Sequence, residues 1–177
     1  TKSPFLAILL GAVLMGACNR DKDDDKDTVP EAPFDQSELL DNLGNNLILP
    51  GYKSFNEAAT SLNNSVTTLV NNPSESSYNS TVSSFEATYI AYQKVAFYDF
   101  GPASNASFIS SLNSYPTDTA KINSQIRGNT ADLSGASNLD AKGLPALDYL
   151  LFSINSSTLI DSLNNSAALK NYLLAVS

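Results

Sequence analysis

The chain of 177 residues contains no histidine and only one cysteine. Histidine is the side chain that most often moves protons near neutral pH, and it is the usual nitrogen ligand of catalytic zinc. Its absence excludes a zinc site of the histidine-rich catalytic kind. Oxygen ligands from aspartate and asparagine side chains remain for a hard cation.

Positively charged residues are also scarce. Lysine and arginine together number 10 against 18 aspartates and glutamates, which gives a formal net charge of −8. Proteins that bind nucleic acid neutralise phosphates with clustered lysine and arginine, and this chain has no basic patch. We therefore expect no nucleic-acid partner, and we interpret the acidity as a contribution to solubility.

An apolar run from Pro4 to Ala17 follows Lys2. A transmembrane helix needs about 20 apolar residues, so this shorter run is typical of a signal-peptide core. Small residues stand directly before Cys18, an arrangement that resembles the lipobox of bacterial lipoproteins. We predict a lipoprotein signal peptide over residues 1–17, cleavage before Cys18 and membrane attachment through a diacylglycerol on its sulfur. The alternative is an ordinary signal peptide followed by an unpaired thiol.

Residues 18–34 carry many charges and few apolar side chains, a composition that does not support folding. We predict a disordered, flexible acidic tether here and a helical domain over residues 35–177. An acidic stretch behind a lipidated cysteine resembles the surface-export signal of Bacteroidetes lipoproteins. That resemblance implies an outer membrane lipoprotein on the cell surface, and the periplasmic face is the alternative.

Apolar residues recur at spacings of three and four over the predicted domain, and no alternating strand pattern of useful length is present. The sequence therefore predicts an all-α fold, an antiparallel helical bundle with short links. We expect its core to combine tyrosines and phenylalanines of the second and third helices with leucines of the segment 143–152.

Turn residues set the expected helix boundaries. Pro50-Gly51 should kink or break the first helix, and Asn72-Pro73 should end the second. Gly101-Pro102 should stop the third. Residues 129–142 are polar and predict a loop, and a single last helix should run from Thr158 to Val176.

The segment from Gly143 to Phe152 reads GLPALDYLLF and is almost entirely apolar. Pro145 suits the first position of a helix, where its missing N–H has no partner, so we expect a helix from Pro145 to about Ile154. Asp148 would then lie in the first turn, where the helix dipole favours an acid. A functional role is the alternative, because a carboxylate on an apolar helix needs a partner or water.

This segment resembles the signature of the imelysin family, which has glycine, any residue, histidine, two residues and glutamate, followed by an aromatic–leucine–leucine–aromatic run. Gly143 and the apolar tail match, whereas Pro145 stands at the histidine and Asp148 at the glutamate. The resemblance covers the chain from about residue 35 to its end. Three further stretches resemble the family in the same order, namely Asn42 to Pro50, Tyr98 to Pro102 and Asn113 to Asp118.

A histidine and a glutamate one helical turn apart could share a metal or pass a proton, and Pro145 can do neither. The resemblance therefore implies a non-catalytic binding component linked to the uptake of iron or another hard cation, with outer-membrane uptake proteins as partners. Gly143, Pro145 and Asp148 mark the expected site. Asp148 is the first candidate metal ligand, with Asp140 and Asp99 as further oxygen donors.

Two alternative functions remain from the sequence. The first is a metallopeptidase that uses Asp148 as ligand or base, and the second is a surface scaffold of an uptake complex. The resemblance also implies a second helical bundle, with the functional groove between the two halves near the motif. Because the last apolar pattern reaches Ser177 without a cap, we expect the chain to continue and its first half to expose an apolar face.

Replacement of Cys18 by serine should abolish lipid attachment, because serine has no sulfur to carry the diacylglycerol. Cells grown with radiolabelled palmitate should yield labelled wild-type protein and unlabelled Cys18→Ser protein. A Thr28→Ser variant, altered in the same tether, should keep the label. Label on the Cys18→Ser protein would contradict the lipobox interpretation.

Overall fold

The computed structural model describes residues 35–177, and all regular structure in that range is helical, without a β-strand. The predicted all-α class is confirmed. None of the helices between Gln36 and Val176 has the length and hydrophobicity that a membrane-spanning helix requires. The elements are α1 (Gln36–Leu43), a π-helical turn (Gly44–Ile48), α2 (Leu49–Asn71), α3 (Glu75–Gln93), α4 (Pro102–Asn105), α5 (Phe108–Leu112), α6 (Thr119–Arg127), a 3-10 helix (Ala136–Ala141), α7 (Gly143–Phe152), α8 (Ser156–Asn165) and α9 (Ala167–Val176).

Helices α1 and α2 form one continuous helix through the π turn, because the residues at its ends keep α-helical dihedral angles. Pro50-Gly51 was expected to kink or break the first helix, and a break at this position was wrong, since both residues lie inside α2. The irregularity comes before the proline. There the Leu49 N–H donates to the carbonyl of Gly44, five residues earlier, instead of to the carbonyl four residues earlier as in an α-helix. Proline removes an N–H and its ring crowds the preceding turn, and the wider π turn makes room for it.

Helices α2 and α3 pack against each other as an antiparallel pair. Two buried threonines of α3 donate hydrogen bonds to α2, Thr81 to the carbonyl of Ser65 at 3.1 Å and Thr88 to the carbonyl of Ala58 at 3.0 Å. As the residue number increases along α3, the number of the contacted residue on α2 decreases. The two helices therefore run antiparallel. The apolar pattern did not predict these contacts, because their donors are polar side chains.

The core lies between the α2–α3 pair and the C-terminal helices. Phenylalanine and tyrosine from α2 and α3 and leucine from α7 are buried there, as predicted, and α9 adds the fully buried Tyr172. Burial of such side chains is the main stabilising contribution to the domain. The largest members are Phe55, Leu62, Leu69, Phe85, Tyr92, Ile122, Leu144, Leu147, Leu150, Leu151, Leu159, Leu163, Tyr172 and Leu173.

Several expected boundaries differ from the observed ones. Asn72 ends α2 as predicted. Helix α3 ends at Gln93 and not near Gly101, because the chain turns tightly over residues 94–97. The polar segment 129–142 was expected to be a loop and instead contains the 3-10 helix, whose small and polar residues form short-range turns.

The last helix was expected to be continuous and is divided into α8 and α9. Ser166 lies between them with an extended backbone, and its side chain accepts a hydrogen bond of 3.1 Å from the Leu169 N–H. Asn155 caps α8 in the same way through the Thr158 N–H. Local capping by a short polar side chain therefore outweighs continuation of the helix at Ser166.

Phe108 anchors the short helix α5 to the α2–α3 pair. Its ring packs edge-on against Tyr52, with ring centroids 5.3 Å apart, and against Phe55 at 5.5 Å. The ring of Tyr92 lies 6.1 Å away. Aromatic pairs at such distances contribute about 0.5–1.5 kcal/mol beyond the burial of their surface. The anchor fixes the position of the last carbonyl groups of α5.

Helix α7 begins at Gly143, before Pro145, so the expected start was wrong. Gly143 has a φ of 75°. A Cβ added there would lie 2.4 Å from the carbonyl oxygen of Leu112 and 2.9 Å from that of Ser111, both in α5. The positive φ and the close approach each require glycine. The turn into α7 is therefore built on this residue and closes against α5.

Replacement of Gly143 by alanine should lower the free energy of unfolding. The positive φ alone costs about 1–3 kcal/mol for a residue with a Cβ, and the clash with α5 adds to that cost. Gly135→Ala is the matched control, because Gly135 has a φ of 74° but open space around it. Urea denaturation of the full chain should show a larger loss for Gly143→Ala. Equal losses would contradict the close contact with α5.

Candidate functional site

A groove of about 890 Å³ lies between α3 and α7. The segment 113–117, which follows α5, borders it and contributes Asn113, Tyr115 and Pro116 to its lining. The volume falls within the range of about 300–1,000 Å³ that is typical of small-molecule sites. The motif segment identified from the sequence thus forms one wall of a cavity.

One face of α7 forms the first wall of the groove. Pro145, Asp148, Tyr149 and Phe152 line it, and their spacing of three and four places them on one side of the helix. The opposite side of α7 is packed into the core through Leu144, Leu147, Leu150 and Leu151. The core contacts therefore fix which residues of the motif face the groove.

Helix α3 forms the second wall, with Phe85, Glu86, Tyr89 and Ile90. The ring of Phe85 lies 6.0 Å from that of Tyr89 and 5.7 Å from that of Phe152 on α7. These rings form a continuous aromatic surface that joins the two walls. The groove is therefore predominantly apolar and aromatic.

Two carboxylates supply the charge of the groove. Glu86 lies on the α3 wall and Asp148 on the α7 wall, and both side chains are exposed. The described residues that line the groove include no lysine or arginine. Asp148 lies beyond the first turn of α7, so the expected stabilisation by the helix dipole was wrong. The earlier start of the helix at Gly143 is the reason.

The structure separates the predicted site residues. Pro145 and Asp148 both line the groove, whereas Gly143 contacts α5 at the helix start. Asp140 pairs with Lys121, which donates a hydrogen bond to its carboxylate. The carboxylate of Asp140, which was proposed as an oxygen ligand for a metal ion, is therefore already paired with the ammonium group of Lys121.

Asp99 is exposed, follows the turn over residues 94–97 and does not line the groove. Burial, together with the negative charge of Asp99, raises the pKa of the Tyr52 hydroxyl. Asp99 therefore acts on the aromatic cluster around α5. Asp148 is the only one of the three candidate oxygen donors that reaches the groove.

The described part of the chain does not form a complete metal site. Within residues 35–177, no three side chains of histidine, cysteine, aspartate or glutamate come close enough together to hold a metal ion. A catalytic zinc site uses three protein ligands and keeps one position open. The residues of the groove do not fit such a centre, because Glu86 and Asp148 are its only carboxylates.

Comparison with known proteins identifies the domain. The family model for imelysin (peptidase M75) matches residues 48–177. The chain belongs to the imelysin family. No curated protein and no solved structure gave a significant match. The matched range contains both walls of the groove. In this imelysin domain, Pro145 and Asp148 line the groove from the same side of α7.

Sequence analysis missed Glu86 and its aromatic neighbours as members of the site. The apolar pattern of α3 placed Phe85 and Tyr89 in the core, and a single glutamate on a helix carries no signal of its own. The turn at Tyr115-Pro116 did carry a signal, because it resembled a family turn. Only the fold brings Glu86 and Asp148 into the lining of the same groove.

Hydrogen bonds hold the segment that leads into α7. The Asp118 N–H donates to the carbonyl of Asp140 at 2.8 Å, and Lys121 bonds to the side chain of Asp140. From the core, the Tyr172 hydroxyl donates to the carbonyl of Ala141 at 2.8 Å. The start of the imelysin motif helix is thereby tied to α6 and α9.

The fully buried Tyr172 makes the free energy of unfolding depend on pH in the alkaline range. Burial first, and the charge of Asp140 second, raise the pKa of its hydroxyl to about 12. In the unfolded chain a tyrosine ionises near pH 10, so from about pH 10 to 12 the unfolded state loses a proton that the folded state keeps. This group should therefore reduce the free energy of unfolding by up to about 1.4 kcal/mol per pH unit in that window.

Urea denaturation of the full chain from about pH 8 to pH 11 measures this effect. The wild type should lose stability more steeply with pH than Tyr172→Phe, which has no proton to release. Tyr115→Phe, at an 87% exposed position, is the control and should follow the wild-type slope. Parallel curves for wild type and Tyr172→Phe would contradict the raised pKa.

Proposed function

We propose that this imelysin domain is the non-catalytic binding part of a lipid-anchored protein that takes part in the uptake of iron or another metal. The groove between α3 and α7 is its binding surface. One observation carries this proposal: both replaced signature positions, Pro145 and Asp148, face the same groove. The family motif therefore still forms a site wall although its proton-transferring side chain is gone.

The chemistry of the groove supports binding over catalysis. Pro145 offers neither a metal ligand nor a proton-transfer group. The two carboxylates that remain, Glu86 and Asp148, do not complete a three-ligand centre within residues 35–177. An aromatic groove that retains two exposed acids is suited to hold a ligand without activating water.

Exposed apolar side chains support the same conclusion. Ile90 is 56% exposed, Phe152 is 43% exposed and Tyr115 is 87% exposed, and all three line the groove. Soluble domains rarely expose neighbouring large apolar side chains, and such a patch marks a surface that binds a ligand or partner. The groove is therefore the proposed contact for an organic ligand or for an outer-membrane uptake protein.

The proposed location follows from the start of the chain. A lipid on Cys18 anchors the protein in the outer membrane, and the acidic tether over residues 18–34 separates the domain from the bilayer. The domain then lies at the cell surface or at the periplasmic face. Cys18 and the tether over residues 18–34 fall outside the part of the chain that the structure describes.

A carboxylate-dependent metallopeptidase is the second candidate function. The observation in its favour is that Glu86 and Asp148 line one cavity from opposite walls. Two acids could divide the roles of metal ligand and general base. The absence of a third ligand among the described residues weighs against this function.

Uptake of radiolabelled iron by the cells that encode this chain tests the proposal. Deletion of the gene should reduce iron accumulation under iron limitation, and the wild-type gene should restore it. Tyr115→Ala should restore it poorly, because it removes an exposed groove side chain without disturbing the core. Leu40→Ala, at a 64% exposed position outside the groove, is the matched control and should restore uptake.

Unchanged iron accumulation after deletion would contradict the proposed function. In a separate assay, the purified wild-type protein should leave a denatured protein substrate intact, with and without a chelator. Cleavage that is lost in Asp148→Asn and in the presence of the chelator would instead establish the metallopeptidase.

A further inference from the structure

We infer that the groove binds a small organic cation of the alkylammonium class. This inference goes beyond the proposed function and rests on the lining of the groove alone. The lining combines carboxylates on two walls, an aromatic surface between them and a volume of about 890 Å³. Each of these features selects a property of the ligand.

The carboxylates select a positive charge. Glu86 on α3 and Asp148 on α7 are exposed, and neither carboxylate forms a hydrogen bond or ion pair with another residue of the described range 35–177. The described lining contains no lysine or arginine that could neutralise them. An anionic ligand would be repelled from both walls, whereas a cation between the walls is attracted by both.

The aromatic side chains select an organic cation over a metal ion. Phe85, Tyr89 and Phe152 form a continuous ring surface, with centroid distances of 6.0 Å and 5.7 Å, and Tyr115 and Tyr149 add further rings. Aromatic faces attract alkylated ammonium groups through cation–π contacts and cover their methyl groups. A bare metal ion needs several oxygen ligands, and two carboxylates from separate helices do not supply them.

The volume of the groove is large enough for a small organic ligand. This volume lies within the range of sites that enclose small organic molecules. The ring of Phe85 is held in place before binding, because this side chain is buried in the core. A preformed site of this size reduces the ordering cost of binding.

Choline and its neutral isostere 3,3-dimethylbutan-1-ol are the probes that test the inference. Each is titrated into the isotope-labelled full chain, held in a detergent with a neutral sugar headgroup, and amide NMR shifts are followed. Choline should shift the signals of Glu86, Tyr89, Asp148 and Tyr149 in a saturable way. The neutral alcohol should bind several-fold more weakly, because it lacks the charge that both walls attract.

Matched variants locate the site. Glu86→Gln and Asp148→Asn each remove one charge from an exposed position and should weaken choline binding by about two- to tenfold. Phe152→Leu keeps an apolar side chain, removes one aromatic face and should weaken binding to a similar degree. Asp161→Asn, on the exposed side of α8 and outside the groove, should bind choline as the wild type does.

Three outcomes of the titrations with choline and the neutral alcohol would overturn the inference. They are equal binding of choline and the neutral alcohol, choline shifts confined to residues outside the groove, and no saturable shifts with choline. Binding of a lysine-containing peptide without binding of choline would assign the groove to a protein partner and would equally overturn it. Because iron accumulation is a separate measurement, failure here leaves the test of the proposed function intact.

Discussion

The close approach between Gly143 and the last carbonyl groups of α5 is the constraint on which the groove depends. Phe108 holds α5 against α2 and α3, and the carbonyls of Ser111 and Leu112 then leave no room for a side chain at the start of α7. The backbone turns there with a positive φ, which glycine adopts without a steric penalty. The contact fixes the start and direction of α7, and thereby decides which motif residues face α3.

The constraint divides the segment 143–152 between two roles. Gly143 is a backbone element that meets α5, whereas Pro145 and Asp148 belong to the cavity wall. The side chain at position 145 can therefore set the chemistry of the wall without holding the wall in place. Proline is tolerated because it lies within the first turn of α7, where N–H groups have no helical partners.

The repeating apolar pattern was enough to predict the all-α class, the buried faces of α2 and α7 and the aromatic core. It was not enough to predict Thr81 and Thr88 in the α2–α3 contact, because their burial depends on carbonyl acceptors in a neighbouring helix. The division at Ser166 was missed because one capping side chain competes with helix propensity. Glu86 was missed because its relation to Asp148 exists only after α3 and α7 are brought together.

The π turn before Pro50 changes the angular phase of the long first helix. Each residue inserted into an α-helix rotates everything beyond it by about 100° about the helix axis. The apolar stripe of α1 is therefore offset from that of α2, although the helix axis continues. Phe55 and Leu62 point into the core, while Leu39 and Leu40 remain 51% and 64% exposed. Among the described residues, α1 buries no side chain, whereas α2 on the far side of the π turn contributes five buried side chains to the core.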